Sequence, residues 1–185
     1  DLELKQVNLK LNPLELKINV KILGAKIKSR KEVLETESIK TKISLISFFK
    51  NEFLIKNLDI STKSIDIGDL ISFTKTFNNN PKLIIFEKLF QVNGFILADL
   101  KINFDNKGNI KNDYFAKGYV KNAKLSLFKD YKLHDLNFVF KTEKDNLEIQ
   151  DIEFMLNDIN FISDTVNLKK NKQGYTLKGN LNNKI

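Results

Sequence analysis

The sequence predicts a mainly β chain, one long antiparallel sheet with an apolar face and a polar face. Three observations carry that prediction. Apolar residues recur at every second position along most of the chain, the period of a strand dried on one side only. Turn-forming clusters at residues 105–109 (DNKGN), 142–146 (TEKDN) and 170–174 (KNKQG) punctuate the second half at hairpin spacing. Helical periodicity is confined to short stretches, near residues 44–50 and 68–90.

Taken in order, Leu2 and Leu4 share one parity while Val7, Leu9 and Leu11 share the other, which predicts a bulge near Lys5 and Gln6. Pro13 punctuates the turn into residues 13–22 (PLELKINVKI). There Leu14, Leu16, Ile18, Val20 and Ile22 alternate with Glu15, Lys17, Asn19 and Lys21. Beyond Gly24, residues 25–28 read as extended, and residues 36–43 (TESIKTKI) lead into SLISFFKN, which suits a single helical turn packed on the sheet. Residues 52–62 (EFLIKNLDIST) return to strand, with Leu54, Leu58 and Ile60 on one parity.

In GDLISFTKTFNNNP, Leu70, Phe73 and Phe77 fall at i, i+3 and i+7, one helical stripe that packs on the sheet and ends at residues 78–81. A second short amphipathic piece follows, with Phe86, Leu89 and Phe90 on one side. From Gln91 the chain reads as a meander of hairpins. Ile96, Ala98, Leu100, Ile102 and Phe104 share a parity, as do Leu136, Phe138 and Phe140; residues 147–156, 159–169 and 175–181 complete about ten strands. A parity switch near Asn122 predicts either a second bulge or a strand boundary. Phe95, Phe104, Phe138, Phe140, Phe154 and Phe161 are expected on the inner face. The organisation is therefore one unit: a first strand group (1–65), a helical insertion (66–91) and a meander (92–185). The chain opens without Met and stops in mid-pattern, as a piece of a longer protein does.

Two short helices do not cover a long one-sided sheet. Either the sheet folds onto itself as a sandwich or barrel, the arrangement favoured by pattern alone, or its inner face stays partly open.

Composition narrows the chemistry. No apolar run approaches the roughly 20 residues of a membrane-spanning helix. Zero cysteines exclude disulfides and thiolate metal sites. The net charge of +8 is almost all lysine, with Arg30 the only arginine. A nucleic-acid reader uses arginine for bidentate contacts, so a solvated lysine face is expected and no nucleic-acid partner. His134 stands alone on the parity of Leu136 and Phe138, without the partners that a metal site or catalytic dyad needs. Glu35 with Glu37, and Glu143 with Asp145, read as solvated carboxylates in connections among lysines. No phosphate-binding glycine loop, nucleophile elbow or calcium loop is present, so neither an enzyme nor a cofactor is expected.

Three stretches, LELKQVNLKLNPLELKINVKI, then ESIKTKISLISFFKNEFLIKNLDISTKSIDIGDLI, then KGYVKNAKLSLFKDYKLHDLNFVFKTEKDNLEIQDIEFMLNDINFIS, together resemble the AsmA-like family of bacterial envelope proteins, which includes the TamB and YhdP types. The likeness lies in cadences of apolar parity: strand, short helix, strand, then repeated hairpins. It implies a long twisted sheet curled into an open, U-shaped apolar groove. Such a protein is anchored to the inner membrane of a Gram-negative bacterium by a segment outside these residues and projects through the periplasm. The groove conducts phospholipid acyl chains between membranes. On that reading the lining is Leu14, Leu16, Ile18, Val20, Ile22, Leu58, Ile60, Ile96, Leu100, Ile102, Phe104, Leu136, Phe138, Phe140 and Phe154. The alternative is a non-conducting scaffold of the envelope with a closed β core.

Overall fold

In a computed structural model, residues 1–29, 32–77, 93–111, 113–127, 131–171 and 174–183 are described. Of these, 71% are in strand, and all the strands belong to one antiparallel sheet of fourteen. The chain begins with a long hairpin broken in the middle of each arm. β1 (Leu2–Glu3) and β2 (Gln6–Asn12) form one arm, β3 (Lys17–Leu23) and β4 (Lys26–Ser29) the other. The break at residues 4 and 5 is the irregularity that the parity switch before Val7 predicts. Opposite it Gly24 takes a left-handed conformation, φ +61.

β5 (Glu32–Ser44) spans that break, pairing through its first residues with β4 and through its last with β3. α1 (Leu45–Phe49) follows, capped by Ser44, whose Oγ accepts from the Ser47 N–H at 3.1 Å. Next come β6 (Ile55–Thr62), β7 (Ile65–Asp66) and α2 (Ile67–Phe77). α2 contacts β5, β7 and β8 (Asn93–Asn103), with Ile65 and Ile71 buried. The segment that carries Leu70, Phe73 and Phe77 is thus helical, as the periodicity predicts, and it contacts the sheet with Ile71 as its buried residue. Phe86, Leu89 and Phe90 lie outside the described residues.

β8 then pairs with β6, so the strand groups on either side of the helical insertion share one sheet. β9 (Phe115–Leu127), β10 (Tyr131–Glu143), β11 (Asn146–Leu156), β12 (Ile159–Asn171) and β13 (Gly174–Gly179) add on as a meander, and β14 (Asn182–Asn183) pairs with β12. The count exceeds the sequence reading because the opening hairpin is split and three strands have two residues each.

The closed β core favoured by pattern alone is not what forms. The sheet does not close into a barrel. Among the described residues the largest fully buried side chain is Thr36, and the buried apolar residues are mostly small: Ala25, Ala98, Ala116 and Ala123 with Val20, Val120, Ile65 and Ile71. The accessible surface is 13021 Å², against about 9,100 Å² for a compact monomer of this mass. A single layer of strands exposes two faces where a sandwich exposes the outer two of four.

A line of bulges crosses the meander. Asn122 in β9, Asp135 in β10 and Asp151 in β11 all have left-handed backbone, φ 51, 54 and 51. Asn and Asp tolerate that region best among residues with a side chain. The strand pairing shifts at the same places, between Leu133 and Phe138 of β10 against β9 and between His134 and Val139 against β11. Asn137 ties two bulges together, its Oδ1 accepting from the Asn122 N–H at 3.0 Å and its Nδ2 donating to the Asp135 carbonyl at 2.8 Å. The predicted parity switch at Asn122 is therefore a bulge inside β9, and it sharpens the local twist.

Glu35 does not lie in a connection; together with Glu37 it belongs to β5. Its carboxylate bridges Lys26 Nζ of β4 at 2.5 Å and Lys63 Nζ, just past β6, at 2.6 Å. Those two hydrogen bonds, Lys26 first, hold its carboxyl at about 2, below the ordinary 4.5. The bonded form is the ionised one, so its contribution is complete above about pH 4.5 and fades as pH falls toward 2. The group is exposed and screened by salt, so the effect is modest. In thermal melts across pH, Glu35→Gln is expected to melt below the parent at neutral pH and to converge with it near pH 2. A gap that persists there overturns the ionic account.

Candidate apolar binding face

Register turns the alternation of single strands into continuous rows. Starting at β2, Val7 faces Ile22, then Ile39, Ile60, Leu100, Ala116, Thr142, Leu147, Leu168 and finally Leu177 of β13. This row crosses ten strands, about 43 Å at the usual strand spacing, and Thr142 is its one polar member. Parallel rows flank it: Leu9, Val20, Thr41, Leu58 and Ile102 on one side, and Ala98, Gly118, Phe140, Ile149, Val166 and Gly179 on the other.

The adjacent parity carries a polar row across the same strands, beside which Leu97, Tyr119 and Val139 oppose one another. Ser61, Asp99, Lys117, Lys141, Glu148, Asn167 and Lys178 oppose one another in turn. On the first strand group the polar face carries Lys10, Lys21, Lys40 and Lys42, with Lys21 directly opposite Lys40. Like charges side by side are unfavourable but tolerable in water, and they keep this face wet.

The apolar rows are not uniform in depth. In the middle, β9 contributes Ala116, Gly118, Val120 and Ala123, and the Phe140 ring of β10 lies over Gly118. Phe138 and Phe140 meet edge to face at 6.4 Å, and Phe154 stacks on Phe161 at 5.4 Å. Towards the two ends the face opens to solvent: Leu9 is 69% exposed and Leu177 68%.

Of the predicted lining, Ile18, Val20, Ile22, Leu58, Ile60, Ile96, Leu100, Ile102, Leu136, Phe138, Phe140 and Phe154 fall on this face by register. Leu14 and Leu16 do not sit in a strand. Asn12 Oδ1 accepts from the Glu15 N–H, and the Leu16 N–H donates to the Pro13 carbonyl, which closes a turn with Leu16 at φ 48. Leu14, 96% exposed, is the tip of the opening hairpin. Alternation written over a turn imitates a strand, and Asn-Pro chemistry overrides it. Phe104 lies at the end of β8, packed on Phe53 at 5.5 Å and bridged to Ile110.

Phe95 points to the opposite face from the one expected: it pairs with Lys121 and Asp66, is 49% exposed, and precedes the inner residue Ile96 by one. The sequence reading passed over Ile39, Ile43, Ala116, Val120, Ile149, Val166 and Leu168. Their signal was present as the same alternation, and only the pairing shows that they share a row.

Polar side chains do not converge into a reactive group. His134 Nδ1 lies 2.7 Å from Asp135 Oδ2 beside the bulge and 3.8 Å, through Nε2, from Asp158. Among the described residues no cluster of three His, Asp or Glu is placed to hold a metal, and no helix is long and apolar enough to cross a membrane. Compared with known proteins, the chain matches no family model, no curated protein and no solved structure.

Proposed function

We propose that this chain is a lipid-binding segment of an AsmA-like envelope protein, and that its apolar face, curled into a groove, holds phospholipid acyl chains and lets them slide along the sheet. The observation that carries the reading is the apolar row that runs across ten strands and is left open at both ends. Each CH₂ taken from water is worth about 0.8 kcal/mol, so a chain leaving a bilayer needs a continuous apolar path that replaces nearly all of that contact. Contact of this kind is non-directional, so a chain can shift along the row. The bulge line and the sheet twist supply the curvature that a groove requires. In this reading the chain works in the periplasm, joined to the inner membrane through segments outside it, with a lysine face that serves solubility and draws anionic headgroups.

Native mass spectrometry of the purified chain, with lipid extraction from the same sample, tests this. The expected result is co-purifying phospholipid. A lipid-free chain that takes up none from phospholipid vesicles overturns the reading in favour of a non-conducting scaffold.

A further inference from the structure

Ser163 of β12 stands opposite Ile152 of β11 and is 3% exposed, yet its Oγ has no hydrogen-bond partner among the described residues. Native interiors rarely leave a hydroxyl unpaired, because the group loses its water and gains nothing in return. The surroundings here are apolar. Ser163 lines a cavity of about 290 Å³ with Ile152, Phe154, Val166 and Leu177, where β13 lies alongside β12. Gly179 holds that approach open: a Cβ there would stand 2.7 Å from Val166 Cγ2. The one other polar side chain in the lining, Asn180, is exposed.

A ligand that completes this site must be aliphatic along most of its length and carry one uncharged acceptor. A plain hydrocarbon fills the walls but leaves the hydroxyl unpaired. A phosphate pairs the hydroxyl but sets a charge against Phe154 and Val166, which costs far more than one hydrogen bond returns. A carboxylic ester meets both demands, since its carbonyl accepts and its chain is hydrocarbon.

We infer that Ser163 is a polar anchor in the acyl track, its Oγ–H donating to the ester carbonyl of a bound acyl chain whose tail lies against Phe154 and Leu177. The inference rests on the acyl-chain reading above and adds the linkage chemistry that the track prefers.

The test offers the whole chain an equimolar mixture of two phosphatidylcholines with identical hydrocarbon tails, one ester-linked and one ether-linked, and reads what is retained by native mass spectrometry. The parent is expected to retain the ester lipid about fivefold over the ether, the worth of one net hydrogen bond. Ser163→Ala is expected to keep the total and lose the preference, while melting no lower than the parent, and Ser163→Thr is expected to restore the preference. Equal retention by the parent, or a preference that survives in Ser163→Ala, overturns the anchor and leaves the acyl-chain reading standing. Retention of neither lipid by the parent overturns the acyl-chain reading itself.

Discussion

Gly118→Ala is expected to destabilise the chain by about 3 kcal/mol or more, at the upper end for overpacking by a single methyl. Gly118 sits in β9 between Ala98 of β8 and Phe140 of β10. A Cβ added there would lie 2.2 Å from the Leu97 carbonyl oxygen and 2.8 Å from two atoms of the Phe140 ring. The ring atoms are the far end of a side chain that can turn about its own bonds. The carbonyl belongs to the neighbouring strand and moves only if β8 and β9 part. Gly174 gives the contrast, since a Cβ there meets nothing within 4 Å and the only cost is its φ of +140. Urea denaturation of both variants checks the prediction: Gly118→Ala should lose much more than Gly174→Ala. Near-equal losses would mean that the small residues of β9 are not where the sheet is tightest.

Ile102→Asp is expected to separate stability from lipid retention. Ile102 pairs with Leu58 on the apolar face and is half-buried, so an aspartate there gives up part of one side chain's burial, about 1–2 kcal/mol, and still reaches water. The fold should therefore survive. A carboxylate in the acyl track, by contrast, faces hydrocarbon whenever a chain is bound, and retained phospholipid is expected to fall about tenfold or more. Ile18→Asp, nearer the β2 edge, should behave alike. A closed core would answer differently, because a buried unpaired charge costs about 3–5 kcal/mol and would melt the whole sheet. Cooperative unfolding of both variants far below the parent, with lipid still bound to whatever remains folded, would remove the main support of the groove reading.

The two variants probe different parts of what was legible. Phe138, Phe140, Leu100 and Ile102 could be assigned to one face from alternation because a strand's side-chain period is local and needs no knowledge of its neighbours. The parity switch at Asn122 was legible for a similar reason, but only the pairing of β9 with β10 decided between a bulge and a strand boundary. Phe95 was misassigned against that same alternation: it precedes Ile96 by one, so it falls on the opposite parity from Ile96, Ala98 and Leu100, and its regular pairing with Lys121 keeps it there. Ser163 carried no signal at all. A serine on an apolar strand reads as a surface residue until its neighbours enclose it.

By itself, then, the sequence determined most of the strands with their apolar and polar sides, the turns at residues 105–109 and 142–146, the two places where parity switches and the single helical turn before β6, which follow from backbone preferences and spacing within a few residues. Tertiary structure decided whether the apolar sides would meet a second layer or stay open, and how ten strands align into one row. Closure and register are set by pairing between residues distant in the chain, where a slip of one position exchanges the two faces, and nothing written in a single strand opposes that slip.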